Sequence, residues 1–187
     1  MTNPAPVDVE RKRAPLEYAV FLLTADHRGG FSNGDLAELR RLSPEDAGSP
    51  AMWKVLSEVH DRDLSGPELE HALPAWACAL QAVAQLAGAG GPRGRKLGPA
   101  LAAAEFSELR LLRLLRADPP NLYREIRTAA QFLAQKGVDV NPLELGKLAL
   151  EAHRDGMERL RRSIAHGYYR ELHKKSQSSH PATSKES

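Results

Sequence analysis

A histidine–aspartate pair is the first constellation in the chain that could do catalytic chemistry. His60 and Asp61 are adjacent, Asp63 follows closely, and Asp26 with His27 could supply further ligands. Metal-dependent phosphohydrolases use such a pair with another His and Asp from elsewhere in the chain. A two-residue match is weak, however, and His beside Asp is common at the end of a helix. We therefore keep an HD-type metal phosphohydrolase only as an alternative.

No other catalytic motif is present. The chain lacks HExxH, GxSxG and a phosphate-binding loop, because Lys96 at the end of the glycine-rich segment 88–98 has neither a following Ser or Thr nor a preceding strand. Cys78 is the only cysteine and lies in an apolar run, which predicts a buried side chain and excludes an internal disulfide or a cysteine-based zinc cluster. We predict a protein that is not an enzyme and has no catalytic residues, metal or cofactor.

Arginine is the other residue type with chemical potential, because its planar guanidinium binds phosphate through two parallel hydrogen bonds. Arginines outnumber lysines, and they are distributed unevenly. Residues 1–92 contain 8 basic and 13 acidic residues, a net charge of −5, whereas residues 93–175 contain 17 and 10, a net charge of +7. This asymmetry predicts a polyanionic partner for the basic half.

A helix predicted over residues 105–117 places three arginines on one ridge at spacings of three residues. These are Arg110, Arg113 and Arg116. The opposite face is predicted to be apolar and consists of Leu111, Leu112, Leu114 and Leu115. Glu105 and Glu108 lie at the start of the helix, where they suit the positive end of its dipole. They leave the arginines nearer the C-terminus largely unpaired.

The last predicted helix, 153–172, repeats this division between a basic and an apolar stripe. The basic stripe consists of Arg154, Arg159, Arg162, His166, Arg170 and His173, and the apolar stripe of Met157, Leu160, Ile164 and Tyr168. We expect Tyr168 in the core. Tyr169 lies closer to the basic side, and whether it stacks on bases stays open.

Further cations lie outside these two helices: Arg40, Arg41, Arg93, Arg95, Lys96, Arg124 and Arg127. A single charged stripe is as often a solvated face as a binding surface, but several in one half favour nucleic-acid binding. No helix-turn-helix, zinc finger or aromatic RNA-binding motif is present to read bases. The expected contacts are therefore with the backbone and independent of sequence.

The elements that must position these residues are predicted to be helical. Aromatics make up only 5% of the chain, so Leu and Ala must fill most of the core, and both favour helices. Ser32 with Asp35 predicts a helix start, Gly137 a helix end and Asn141-Pro142 another start. Besides the two helices described above, we predict helices over 14–26, beyond Ser32, and over 51–59, 73–87, 120–136 and 142–152.

We predict an all-α fold of two small helical bundles, residues 14–87 and 97–173. A flexible, basic, glycine-rich loop over 88–98 would join them, and residues 1–13 and 174–187 would be disordered. The helix over 73–87 is apolar on most sides and should lie at the centre of the first bundle. The polar N-terminus, the single cysteine and the lack of a long apolar run predict a cytoplasmic protein without membrane contact.

The order of several motifs resembles the CasB family, the small subunits of the type I-E CRISPR surveillance complex, Cascade. The string Gly34-Asp35-Leu36-Ala37-Glu38-Leu39-Arg40-Arg41 is similar to the start of that family. Leu97-Gly98-Pro99-Ala100-Leu101, followed by Phe106-Ser107-Glu108-Leu109-Arg110 and Leu114-Leu115-Arg116-Ala117, is similar to its central block, and the stretch 159–169 to its closing helix. The resemblance covers roughly residues 15–172.

The resemblance implies a non-catalytic subunit of two helical bundles that acts in antiviral defence. Its implied partners are guide RNA, displaced or target DNA strands, other Cascade subunits and a second copy of itself. By family position the leading contact residues are Arg40, Arg41, Arg110, Arg113 and Arg116, followed by Arg93, Arg95, Lys96, Arg127 and Arg162. The main rival is a helical adaptor that binds only protein and uses its charged faces as interface rims.

Overall fold

The computed structural model describes residues 14–24, 31–45, 48–59, 67–151 and 156–178. Apart from isolated bridge positions at Ser43 and between Arg95 and Val140, the regular structure in these ranges is helical, which confirms the all-α prediction. The helices in these ranges are α1 (Pro15–Thr24), α2 (Asn33–Leu39), α3 (Pro50–Val59), α4 (Pro67–Leu86), α5 (Leu97–Ala103), α6 (Glu108–Arg116), α7 (Asn121–Lys136), α8 (Leu143–Leu150) and α9 (Met157–Ser178).

Local sequence signals place the ends of several helices. Ser32 caps α2 reciprocally with Asp35: its hydroxyl accepts the Asp35 N–H at 3.0 Å, and its own N–H donates to the Asp35 carboxylate at 2.7 Å. The pKa of Asp35 is lowered below its ordinary value of 3.8, mainly by the hydrogen bond from the Ser32 N–H and next by the hydrogen bond from the Lys54 ammonium. Gly137 ends α7 in the left-handed conformation, with φ of 61°. Both predicted signals are confirmed.

Helix α4 is the centre of the packing. Its second half is buried almost without interruption from Trp76 to Leu86, and it packs against α1, α2, α7 and α8. A helix that is apolar around most of its circumference needs neighbours on most sides, and α4 has them. The prediction of a mostly buried central helix is therefore confirmed, and the helix begins six residues earlier than residue 73.

The predicted division into two bundles is not confirmed. The buried side chains of both ranges belong to one continuous cluster, from Leu16 in α1 to Tyr168 in α9. Helix α4, from the first range, packs on α7 and α8 from the second. The domain boundary between residues 87 and 97 stays a prediction.

The glycine-rich segment 88–98 packs against its neighbours, and the prediction of a flexible loop is not confirmed. Arg95 pairs with Val140, and its carbonyl accepts the Asn141 N–H at 2.8 Å. A Cβ added at Gly94 would lie 2.4 Å from the Val140 carbonyl carbon. The glycines permit this close backbone approach because they have no Cβ. From composition alone, the same glycines predicted a flexible segment.

Helix α5 was not predicted, and it packs extensively against α9. A Cβ at Gly98 would lie only 2.2 Å from the Ile164 carbonyl oxygen, and one at Gly167 would lie 2.8 Å from Pro99. The Leu97 N–H at the start of α5 donates to the Glu144 carboxylate at 2.6 Å. A carboxylate from α8 therefore satisfies a helix end that has no local side-chain cap.

The chain ends of the described structure differ in part from expectation. Helix α9 continues to Ser178, so residues 174–178 are helical where disorder was predicted. Residues 1–13 and 179–187, also predicted to be disordered, lie outside the described ranges. Among the described helices, none has the length and apolar character required to cross a membrane.

Candidate nucleic-acid interface

Helix α6 presents its arginines to solvent because its leucines anchor the opposite face. Ser107 caps the helix by accepting the Arg110 N–H, and Leu111 and Leu114 are fully buried. Arg110, Arg113 and Arg116 are all exposed, as the helical spacing predicts. Leu109 and Leu112 are also exposed, by 59% and 37%, so the prediction that Leu112 belongs to the buried face was wrong.

The three α6 arginines keep their charge available. Within the described part of the chain none of them forms an ion pair. The Arg110 guanidinium lies over the Phe132 ring, 5.5 Å from its centre, and the Lys136 ammonium lies 5.7 Å from the same ring. This contact holds Arg110 in place without neutralising it.

Helix α9 has the predicted division between a basic and an apolar stripe. Met157, Ile164 and Tyr168 are buried, and Leu160 is partly buried against the core. The predicted basic stripe is exposed at every described position: Arg159, Arg162, His166, Arg170 and His173. Arg154 lies outside the described residues.

A shallow groove between α6 and α9 brings arginines from both helices together. Arg116 of α6 and Arg162 of α9 line it with Arg161, and the rest of the lining is Leu115, Glu158 and Ala165. Arg116 and Arg162 are exposed, and neither forms an ion pair with a described residue. Two guanidiniums that are far apart in sequence can therefore face one ligand.

Arg161 is the groove residue that sequence reasoning missed, and its role is structural. Its Nη2 donates to the Ala117 carbonyl at 2.7 Å and lies 3.3 Å from the Asp118 carboxylate, while its Nη1 pairs with Glu158 at 3.1 Å. Only 16% of this side chain is exposed. These bonds fasten the end of α6 to α9, and no local pattern distinguishes Arg161 from the exposed Arg162.

A second group of predicted residues meets at the end of α2. The buried Gln81 donates to the Arg40 carbonyl at 3.1 Å and accepts the Arg127 Nε–H at 3.0 Å. Arg127 also donates to the Leu42 carbonyl at 2.8 Å, and Arg40 to the Ala84 carbonyl at 3.0 Å. These two arginines therefore support the packing of α2, α4 and α7, while the adjacent Arg41 is exposed.

The third group lies on the segment before α5. Arg93, Arg95 and Lys96 are exposed, and Arg95 approaches Glu171 of α9 at 3.9 Å. This group is tied to the far half of α9, whereas the groove is at its N-terminal half. The predicted contact residues therefore fall into three groups, and only the groove combines arginines from both α6 and α9.

Comparison with known protein families identifies the family to which this chain belongs. The model of the family described as CRISPR-associated protein Cse2 matches residues 35–169. The chain belongs to the Cse2 family. This confirms the resemblance noted above, since CasB is another designation of the same family. The match contains α6, the groove and α9 as far as Tyr169.

A solved structure has the same fold as this Cse2 protein. A chain in the crystal structure of E. coli Cascade bound to a PAM-containing double-stranded DNA target superposes with a TM-score of 0.59. The two chains share 19% sequence identity, and the match covers 85% of this chain and 95% of the other. No curated protein matches the sequence.

The catalytic alternative gains no support from the described part of this Cse2 chain. His60, Asp61, Asp63, Asp26 and His27 all lie outside the described residues. Among the residues that are described, no group of three or more His, Cys, Asp or Glu side chains could hold a metal ion. Burial raises the pKa of the Cys78 thiol to about 12, as expected of a core residue and not of a nucleophile.

Proposed function

We propose that this protein is a non-catalytic nucleic-acid-binding subunit of a Cascade-type CRISPR surveillance complex in antiviral defence. It holds guide RNA and the displaced or target DNA strands by sequence-independent contacts with their backbones. It does so in the cytoplasm, beside other Cascade subunits and a second copy of itself. The observation that carries the proposal is the α6–α9 groove, where Arg116 and Arg162 are exposed and free of ion pairs with described residues.

The physical basis is release of counterions from the nucleic acid. Each phosphate that a guanidinium neutralises frees condensed cations, and this favours binding whatever the base sequence. Pairing of guide RNA with its target displaces one DNA strand, in an exchange that is nearly balanced in free energy. A basic surface that binds the separated strand therefore shifts the balance toward the open state.

The contact residues are proposed in two ranks. Arg110, Arg113, Arg116 and Arg162 rank first, because each is exposed on α6 or α9 and none pairs with a described carboxylate. The second rank consists of Arg40, Arg41, Arg93, Arg95, Lys96 and Arg127. Within it Arg40 and Arg127 donate hydrogen bonds to the protein, and this leaves them less free to bind a ligand.

Two exposed leucines on α6 indicate that this helix also contacts protein. Leu109 and Leu112 alternate with the arginines along the exposed side of α6. Apolar side chains on an exposed helix are frequent at protein interfaces. We propose that they contact a neighbouring Cascade subunit. If the helix serves only this purpose, the protein is the adaptor named above as the rival.

The test is target binding by the reconstituted complex with the double charge reversal Arg116→Glu and Arg162→Glu. We expect the affinity for target DNA to fall about ten- to a hundredfold, because two attractive contacts become repulsive. The affinity would be measured by gel shift, and the subunit composition by size-exclusion chromatography with mass analysis.

Arg124→Glu is the control, because it makes the same charge change per site at an exposed arginine of α7 that forms no ion pair with a described residue and is not among the proposed contact residues. We expect it to leave DNA affinity unchanged. The adaptor reading would be correct if the double reversal left the affinity of a fully assembled complex intact. The adaptor hypothesis would also be favoured by a second result: the double variant dissociates from the complex, while complexes that retain it bind DNA with unchanged affinity.

A further inference from the structure

An exposed aromatic ring lies at the edge of the basic stripe of α9. Tyr169 is 43% exposed. It lies seven residues after Arg162, which is almost two full helical turns, so both side chains project from one side of the helix. His166 and His173 continue the same ridge, with Arg159 and Arg170 beside it, and all are exposed.

The ring is held by its neighbour. Tyr168 is buried, and its hydroxyl donates to the Phe106 carbonyl at 2.5 Å. The Tyr168 and Tyr169 rings meet edge to face, with centres 5.3 Å apart and planes at 89°. The buried ring thus supports the exposed one, which reduces the conformational entropy that Tyr169 would lose on binding a planar ligand.

The cations around the ring are not neutralised by the acidic residues of the described part of α9. Glu158 pairs with Arg161, and Glu171 approaches Arg95 and Lys174. Arg159, Arg162 and Arg170 form no ion pair with any described residue. The surface around Tyr169 therefore combines free positive charge with an exposed aromatic side chain.

We infer that Tyr169 stacks on an unpaired base of a single nucleic-acid strand whose phosphates lie along the α9 arginines. This inference rests on the proposed function and names the form of the ligand. Positive charge alone would suit a duplex equally well, but bases inside a duplex are already stacked and present only their edges. An aromatic face between cations matches a single strand, whose bases are free to stack without regard to sequence.

The stripe has a suitable length for this ligand. From Arg159 to His173 it extends for roughly 21 Å at the helical rise of about 1.5 Å per residue. That length accommodates a few nucleotides, with Tyr169 nearer the C-terminal end. A protein partner that uses Tyr169 as an apolar anchor is the competing occupant, and the free charge beside the ring argues against it.

The test compares Tyr169→Leu with Tyr169→Phe in the full-length chain. Base stacking on an aromatic side chain typically contributes about 5- to 150-fold in affinity, so Tyr169→Leu should weaken binding of a fluorescent single strand by that factor. Tyr169→Phe keeps the ring and should bind as the wild type does. Affinity for a matched duplex should change in neither variant. Trp53→Leu is the control, because Trp53 is a similarly exposed aromatic residue on α3.

Photocrosslinking gives a second readout, which begins with the wild type. A strand that carries 5-iodouracil should crosslink to the tryptic peptide 163–170 of the wild type, and the adduct should disappear in Tyr169→Leu. Thermal melting of each variant checks that it is folded. The inference is wrong if Tyr169→Leu keeps wild-type affinity for the single strand and the wild type gives no adduct on this peptide. It is also wrong if Tyr169→Leu reduces only the association with other subunits.

The two proposals fail in different ways. If the wild type shows no salt-dependent binding to any strand, the proposed function itself is wrong. If binding depends on salt and on Arg116 and Arg162 but not on the Tyr169 ring, only the stacking inference is wrong.

Discussion

Identical side chains serve different purposes in this molecule according to what surrounds them. Arg161 and Arg162 are adjacent in sequence, yet Arg161 is mostly buried and bonded to Ala117, Asp118 and Glu158, while Arg162 is exposed. Arg127 is likewise engaged by Gln81 and the Leu42 carbonyl. A guanidinium that satisfies buried acceptors contributes to folding, and one that faces water is available to a ligand.

This difference leads to a prediction for a matched pair of truncations. Arg161→Ala should lower the free energy of unfolding by about 1–3 kcal/mol, because it removes a charged donor and leaves the Ala117 carbonyl without that partner. Arg162→Ala should change stability by less than about 0.5 kcal/mol, as is usual at exposed positions. Urea denaturation of both variants measures the difference.

The two variants should rank in the opposite order when their affinity for a nucleic-acid strand is measured. Arg162→Ala should weaken binding more than Arg161→Ala does. Equal loss of stability in the two variants would contradict the distinction between a structural and a ligand-facing arginine.

At the scale of elements, the sequence predicts the helices whose ends carry local signals. The Ser32–Asp35 cap and the Gly137 stop act within one turn of the chain, and both are confirmed. Helix α5 and the packing of segment 88–98 were missed because their partners are distant. The start of α5 is bonded by Glu144, and Gly94 is set against Val140. Glycine composition alone cannot distinguish flexibility from close backbone approach.

The close approach of α5 and α9 gives a prediction at this scale. Gly98→Ala places a Cβ 2.2 Å from the Ile164 carbonyl oxygen, and backbone atoms must move to accept it. We expect a loss of about 1–3 kcal/mol in the free energy of unfolding, the usual cost of overpacking. Gly88→Ala is the control, because no atom lies within 4 Å of its added Cβ. Similar denaturation midpoints for the two variants would show that the helices are not in contact at Gly98.

At the scale of the whole molecule, the charge asymmetry is visible in the sequence and the geometry of the basic surface is not. The net charges of −5 for residues 1–92 and +7 for residues 93–175 need only the composition. The stripes on α6 and α9 follow from helical spacing. That Arg116 and Arg162 line one groove depends on how these helices pack, which no local pattern specifies. Family membership could be predicted because the motifs occur in the family's order along the chain.

The salt dependence of strand binding tests the central claim most directly. The affinity of the full-length protein for a single strand would be measured across a salt series, for the wild type and for the triple variant Arg113→Gln, Arg116→Gln and Arg162→Gln. Each phosphate contact contributes about −0.7 to the slope of log affinity against log salt, so the triple variant should have a slope shallower by about 2. A wild-type affinity that does not respond to salt, or a triple variant with the wild-type slope, would contradict the claim that these arginines bind the nucleic-acid backbone.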